Sequence, residues 1–471
     1  MSATAAYVTD VPYLRRFQHE MAPAWLDCAA TLCGTAPPDR DAGFAWCDLG
    51  CGRGLTATVL AATHPGGRFV GIDMMPVHIA DARQLAHDAG VGNLEFYNAD
   101  FAAVDLGTAR FDYIVAHGVY AWIDGASQAA LCRLIDRHLA PGGLVYLSYN
   151  AMPGWAADMP LQRLLLALGA AMPGDSIARF SAAAELVGRI AAAGAPSLAA
   201  SPIAAQPGTI EERHARAYLA HEYLAPHWQP LFVSEVRKTM AQIGLVPVGS
   251  ATFADNFDSF VLRAAEREVL ALVTDPEARE LVRDFLTHKR FRRDVFGRDV
   301  PALDDDERRR RLCAMRFALV CPADAVTFAT RTAAGQLKFD NPVARRIVTA
   351  LAGGPCRLSQ IAAGEVASQD LIASLIALCC GGAVRPVENG DVPVAALNRL
   401  FLDHISDGDP IGYLALPCGT AVKAEAAVLR ALRDGQRPDD PTHAGLFDFL
   451  VAGAVGPPSV NAARRATTRS S

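Results

Sequence analysis

Lysine is scarce in this chain: only four of its 44 basic residues are Lys, and acidic residues outnumber basic ones to give a formal charge of -6. That balance argues against a general nucleic-acid binder, which needs an excess of cations to neutralise phosphates. Long apolar runs are missing as well. No stretch reaches the roughly eighteen unbroken apolar residues of a membrane span, so no stable membrane insertion is expected. The segment Met1 to Asp10 has no basic stretch followed by an apolar run, so no secretory signal is expected. The eleven cysteines include no C-x-x-C pair, which excludes the closed ligand set of a common structural zinc site. Reduced, mostly buried thiols in a cytoplasmic protein are the expectation.

What is present is a folded chain of 471 residues, half of them apolar and a fifth charged, long enough for two or three domains. Its first third alternates strand and helix signals. Phe44–Leu49, Arg68–Ile72, Leu94–Tyr97, Phe111–Ala116 and Leu144–Tyr149 read as strands, with Leu55–Thr63, Pro76–Ala89 and Gln128–Leu139 as intervening helices. This rhythm predicts a parallel sheet with right-handed crossovers. An Ala-rich helical stretch follows from Trp155 to about Trp228, and then a helix at Leu231–Ile243. Two apolar runs, Leu245–Phe253 and Asp258–Arg263, read as an antiparallel pair at the sheet edge. The fold class is therefore α/β: a doubly wound, mostly parallel, seven-stranded Rossmann-like sheet with a helical insert and a C-terminal winged-helix-like α+β region.

The predicted divisions are 1–154 with 229–265 for the sheet domain, 155–228 for the insert, 266–336 for a helical middle region, 337–459 for the winged-helix-like region and 460–471 for a flexible tail. The winged-helix reading rests on helices at Asn341–Leu351, Ser359–Ala363 and Ser368–Cys380 followed by a strand at Ala383–Val387.

The chemistry is concentrated at strand ends. Asp48-Leu49-Gly50-Cys51-Gly52-Arg53-Gly54 joins the first strand to its helix. Glycines allow close backbone approach, and a helix start offers free N–H groups to an anion. A dinucleotide fingerprint wants its third glycine five positions after the first, where this chain has Leu55. The glycines fall instead on alternate positions behind an acid. Asp73, next to Met74, ends the second strand, and Asp100-Phe101 follows the third.

This set resembles the motifs of class I S-adenosylmethionine-dependent methyltransferases. The resemblance implies that Gly50, Cys51, Gly52 and Gly54 cradle the cofactor and that Asp48 holds its ammonium. It further implies that Asp73, with Met74, takes the ribose, and that Asp100 and Phe101 take the adenine. Tyr13 is a candidate for an N-terminal segment folded over the cofactor. His117-Gly118-Val119-Tyr120-Ala121-Trp122, Ser148-Tyr149-Asn150-Ala151-Met152-Pro153-Gly154-Trp155 and His221-Glu222-Tyr223-Leu224 narrow the likeness. They resemble bacterial methyltransferases with a methyltransferase regulatory domain, a family that includes rickettsial lysine methyltransferases acting on outer-membrane protein.

Methyl transfer to an amine needs a positioned, neutral nitrogen more than an acid or base. Tyr149, Tyr120, Trp122 and Asn150 are the expected acceptor-site residues, the rings desolvating an ammonium and the amide carbonyl accepting from it. His117 is expected near the cofactor. Spacing excludes a zinc site at His221 and His227, because Pro226 intervenes. The leading expectation is methylation of protein lysine side chains, with S-adenosyl-L-methionine as cofactor, no metal, and a homodimer among the expected assemblies. The alternatives are a small-molecule N- or O-methyltransferase and, behind it, a cofactor-sensing DNA-binding regulator. The regulator fares worse because the presumptive recognition helix Ser368–Cys380 carries no Lys or Arg.

Overall fold

The computed structural model describes residues 10–11, 13–199, 201, 203, 216–362, 369–407 and 411–456. The expected tail 460–471, and parts of the insert and of the predicted helix Ser359–Ala363, lie outside these residues. Strands β1 (Phe44–Leu49), β2 (Gly67–Asp73), β3 (Leu94–Asn98), β4 (Phe111–Ala116) and β5 (Leu139–Asn150) form where the sequence predicts them, interleaved with helices α1 (Pro23–Leu32), α2 (Leu55–Thr63), α3 (Pro76–Asp88) and α4 (Gly125–His138). With β6 (Val246–Ser250) and β7 (Phe291–Gly297) they make one seven-stranded sheet in the order β3-β2-β1-β4-β5-β7-β6. The β1–β5 neighbours pair in parallel, whereas β7 runs antiparallel to both β5 and β6.

One expectation is corrected here. Asp258–Arg263 is not a strand: Asp258–Val261 is a helical turn, and the sheet is completed by Phe291–Gly297. That strand lies beyond residue 265 and inside the stretch 266–336 that was expected to be helical. Its apolar residues Phe291, Val295 and Phe296 are split by three consecutive charged residues, Arg292, Arg293 and Asp294, so it lacks the apolar run by which strands were recognised. The arginines and the aspartate are satisfied by partners that only the fold supplies.

Alternation along the strands sorts side chains onto two faces. Trp46, Phe69, Tyr113, Tyr146 and Val295 enter one core, on the face carrying α1 to α3. Cys47, Val70, Ile114, Leu147, Tyr149 and Phe296 enter the other, with α4 and the helix Val233–Gln242. The insert helices Met159–Ala171, Ser176–Ala192 and Arg216–Tyr223 keep a separate core around Leu161, Phe180, Ala183 and Leu219.

The C-terminal part is continuous with the first face. A three-stranded antiparallel sheet places Arg316–Leu319 between Cys356–Arg357 and Val384–Val387, next to helices Pro342–Ala352 and Gln369–Cys380. Ion pairs fasten it to the sheet domain. Glu388 lies 2.9 Å from Arg40 and 3.0 Å from His64, and Arg40 also meets Asp27 at 2.9 Å. Burial opposes the Glu388 charge, but His64 and Arg40 outweigh it and hold the carboxyl at about 2. A carboxyl lowered on folding stabilises fully above its unfolded value near 4.5, and loses that contribution as the pH falls toward 2. Glu388→Ala removes a partner from both Arg40 and His64, leaves Arg40 with Asp27 alone, and should cost about 1–3 kcal/mol, read as a lower urea midpoint at neutral pH. An unchanged midpoint would show that the clamp adds nothing to stability.

Candidate active site

The glycine loop leaves β1 through a tight turn in which the amides of Gly50 and Cys51 both donate to the Ile72 carbonyl, at 2.8 and 3.0 Å. Gly50, Gly52 and Gly54 all have positive φ, at 90°, 53° and 72°, a region in which side chains are strained. Their surroundings differ. A Cβ on Gly50 would meet Val119 Cγ2 at 2.3 Å, and one on Gly54 would meet Ala82 Cβ at 2.6 Å. A Cβ on Gly52 would point into open space, with nothing within 4 Å. Gly52 therefore forms the wall of a cradle, and the other two glycines pack the loop against its supports.

Acids surround that space. Asp48 is 3 % exposed and its Oδ1 has no hydrogen-bond partner. Burial, with Asp73 nearby, pushes its carboxyl well above the ordinary range. An orphaned buried carboxyl at a glycine loop suits a cationic ligand group, which would restore its charge. Asp73 accepts from the Gly52 amide on Oδ2 and the Met75 amide on Oδ1, both at 2.9 Å. Each oxygen keeps a lone pair for a hydroxyl donor. Met74 lies between these contacts, partly buried. Asp100 accepts from Ala102 N at 2.8 Å, and Phe101 packs against the second core. Cys51 Sγ sits 3.7 Å from the Gly52 carbonyl.

An N-terminal strap crosses this region. Tyr13 N donates to His78 Nε2 at 3.4 Å, and His78 Nδ1 lies 3.4 Å from Asp73 Oδ1. The Tyr13 ring meets His221 of the insert edge-on at 5.2 Å, and His221 Nε2 contacts the Val11 carbonyl at 2.8 Å. Arg15 and Arg53 converge on Asp81. Thus the strap ties the insert to the helix that follows Asp73. Nothing in the sequence pattern pointed to His78.

The acceptor-side expectations fare unevenly. Tyr149 is fully buried and its hydroxyl donates to Asp294 at 2.7 Å, within a network where Arg292 also binds Asp284 and Glu280. Parity explains the correction: Tyr149 shares its face with Leu147 and Val145, opposite Tyr146. Tyr120 is likewise in the second core, 4 % exposed, with its hydroxyl toward Cys132. Trp122 packs at 6.2 Å from Trp228, which in turn meets Trp155 edge-on. These tryptophans support the insert, and Arg290 covers the face of Trp155 at 4.0 Å. Asn150 is buried, with an Oδ1 that has no hydrogen-bond partner.

His117 ends β4 on the other face. Its ring stacks parallel to Tyr146, its Nδ1 lies 2.8 Å from the Tyr146 hydroxyl, and Phe291 is 5.9 Å away. Burial lowers its pKa to about 4, so the ring is neutral. Beyond it a cavity of about 470 Å³ opens, lined by His19, Glu20, Trp25, Phe253, Asp255, Lys289, Phe291 and Arg293 together with Arg331, Cys379 and Cys380 of the C-terminal part. None of these was singled out from sequence. They come from five separate stretches of chain, and each stretch alone carries no motif.

Comparison with known proteins agrees with this geometry. Residues 40–168 match the family described as "Methyltransferase domain", and residues 215–298 match "Predicted methyltransferase regulatory domain". The chain is 33% identical over 434 residues to uncharacterized protein sll1526 of Synechocystis sp., covering 90% of this chain and 86% of that one. This chain belongs to the class I S-adenosylmethionine-dependent methyltransferases. The methyltransferase is also 32% identical over 143 residues to trans-aconitate 2-methyltransferase of Methylobacterium radiotolerans, over 30% of this chain and 50% of that enzyme. In fold it is similar to PKMT2 from Rickettsia typhi in complex with AdoHcy, with a TM-score of 0.68, 20% identity, and coverage of 90% and 88% of the two chains. S-adenosylmethionine is the methyltransferase's cofactor, and the open space at Gly52 and the orphaned Asp48 carboxyl fit its amino-acid end. Among the described residues no helix is long and apolar enough to cross a membrane.

Proposed function

We propose that this methyltransferase transfers a methyl group to lysine side-chain amines of a protein substrate. The observation that carries the reading is the lining of the 470 Å³ cavity near His117, where rings (Trp25, Phe253, Phe291) stand with the Glu20 carboxylate, Asp255 being paired with Lys289. That lining suits a long apolar stem ending in a cation. In this reading Asp48 receives the cofactor's ammonium, Asp73 its ribose hydroxyls, and Asp100 with Phe101 its adenine, while the strap with Tyr13 covers it.

The bound cofactor supplies a methyl already activated by its sulfonium, which the acceptor nitrogen attacks in line. The chain's residues therefore have to position the nitrogen and shield it from bulk water, and the arriving lysine ammonium, with a pKa of about 10.4, has to lose its proton to solvent before it attacks as the free amine. Neutral His117, just past the end of β4 and 5.9 Å from the cavity-lining Phe291, is suited to orient the acceptor. Asn150 Oδ1 is a further acceptor for an amine hydrogen.

The reading divides the chain into a methyltransferase unit extending to residue 297, with the insert 155–228 and a winged-helix-like C-terminal unit that walls the cavity. The helix order in that unit supports the winged-helix description. A DNA-binding role is disfavoured, because its presumptive recognition helix buries Leu371, Leu375 and Leu378. The reading includes a cytoplasmic setting. The rival is methylation of a small molecule, favoured by the partial match to trans-aconitate 2-methyltransferases.

Incubation with methyl-labelled S-adenosylmethionine and cell extract, followed by separation of protein from small molecules, tests the proposal. Label should enter protein and be recovered as methyl-lysine after acid hydrolysis. Label confined to the small-molecule fraction would refute protein methylation and favour the rival.

A further inference from the structure

Glu20 occupies the one-turn helix His19–Met21 between the strap and α1, and its side chain lines the 470 Å³ cavity. The residue is only 9 % exposed. One carboxylate oxygen, Oε1, lies 3.2 Å from Arg293 Nε. The other, Oε2, is buried without a hydrogen-bond partner, and the adjacent His19 Nδ1 lies 3.5 Å from it. Burial works against the Glu20 charge, but His19 and Arg293 beside it outweigh that and hold the carboxyl at about 2. Burial, with Arg385 nearby, lowers His19 to about 3, so at neutral pH that ring does not supply a cation to Oε2. A desolvated anionic oxygen lacking a donor is costly, and a ligand that brings the donor recovers the cost.

Two of the other charges facing the cavity are committed to ion pairs. Lys289 pairs with Asp255, and Arg290 pairs with Asp158 at 2.6 Å. Arg331 and His288 are both exposed to solvent. Trp25 stacks on Phe253 at 4.3 Å, and His19 meets Trp25 edge-on at 4.6 Å, so the walls near Glu20 are aromatic. Phe291, which also lines the cavity, is 5.9 Å from His117, which places the cavity next to the end of β4.

We infer that Glu20 is the substrate-binding anchor of the acceptor: its free Oε2 receives the ammonium of a primary alkylamine whose methylene stem lies along Trp25, Phe253 and Phe291. The inference rests on the reading above that the acceptor is a lysine amine, and it adds the group that selects the amine. An ammonium brings three donors and a full charge, so it satisfies Oε2 by a charge-assisted hydrogen bond. An uncharged isostere of the same length would bury the stem and leave Oε2 orphaned. Sequence alone gives no sign of this role, because Glu20 stands in an ordinary polar stretch, Gln18-His19-Glu20.

The test uses the full chain saturated with S-adenosylhomocysteine and two probes, N-acetyl-lysine methylamide and its norleucine counterpart. Binding is followed by tryptophan fluorescence and by calorimetry. The lysine probe should bind at least tenfold more tightly than the norleucine probe. Glu20→Gln should erase that preference, leaving affinity for S-adenosylhomocysteine unchanged as evidence of an intact fold. Glu20→Asp should retain part of the preference, and serves if the Gln variant folds poorly. Equal affinity for both probes, no saturable binding of the lysine probe, or an undiminished preference in the Gln variant would each overturn the anchor. The labelled-extract assay separates the two ideas. If the unsubstituted enzyme labels no protein, the lysine reading itself fails. If it labels protein and the Gln variant labels it equally well, only the anchor fails.

Discussion

Asp73→Ala should lower affinity for S-adenosylhomocysteine by roughly a hundredfold to a thousandfold, measured by calorimetry. A bidentate contact to two ribose hydroxyls comprises two charge-assisted hydrogen bonds, each contributing about 1.5–3 kcal/mol. The carboxylate also organises the loop, since it receives the Gly52 and Met75 amides. Asp73→Asn separates these roles: its one carbonyl oxygen can still accept from an amide, but it cannot serve both hydroxyls, and the loss should be about tenfold to a hundredfold. A probe lacking the ribose hydroxyls should bind the wild type and the Asn variant almost equally. Undiminished affinity in the Ala variant would mean that the ribose is held elsewhere.

The glycine loop gives the second large effect, because its glycines should fail in different ways. Gly52→Ala meets no atom within 4 Å, so the variant should fold, paying about 1–2 kcal/mol for a side chain at φ +53°. Its methyl group would project into the cradle, and cofactor affinity should fall by roughly a hundredfold. Gly54→Ala would press a Cβ to 2.6 Å from Ala82 and 2.7 Å from Phe96, adding about 1–3 kcal/mol of overpacking to a similar backbone strain. That variant should show a clearly lower thermal midpoint. Comparing the thermal midpoint with cofactor affinity for each variant checks the assignment. A Gly52→Ala chain that binds normally would mean that the open space at Gly52 is not the cofactor's.

Much of the cofactor half was readable because each of its requirements is local. Three glycines on alternate positions need positive φ at a strand-to-helix turn, and all three have it. Asp48, Asp73 and Asp100 each stand in or just after a strand, so strand boundaries alone set them at one end of the sheet. The acceptor half resisted for equally physical reasons. Tyr149 and Tyr146 are both buried aromatics in one apolar strand. Only the pairing with β7 decides that Tyr149 turns toward Asp294 and Tyr146 toward His117. The strand Phe291–Gly297 was missed because its charged residues disguise it: Arg292 is satisfied by Asp284, Glu280 and Asp294, partners that helix Pro276–Thr287 and the strand itself bring to it.

By itself, then, the sequence determined the doubly wound sheet, the glycine loop and the placing of acids at the strand ends, because turn chemistry and strand periodicity are short-range constraints. The tertiary structure decided which face of β5 and β7 looks toward the cavity and which toward the second core. It also brought Glu20, Trp25, Phe291 and Arg293 to one cavity with residues 331, 379 and 380. Those contacts span more than 350 positions of chain. No local pattern encodes them, since they depend on how a C-terminal unit closes over one face of the sheet.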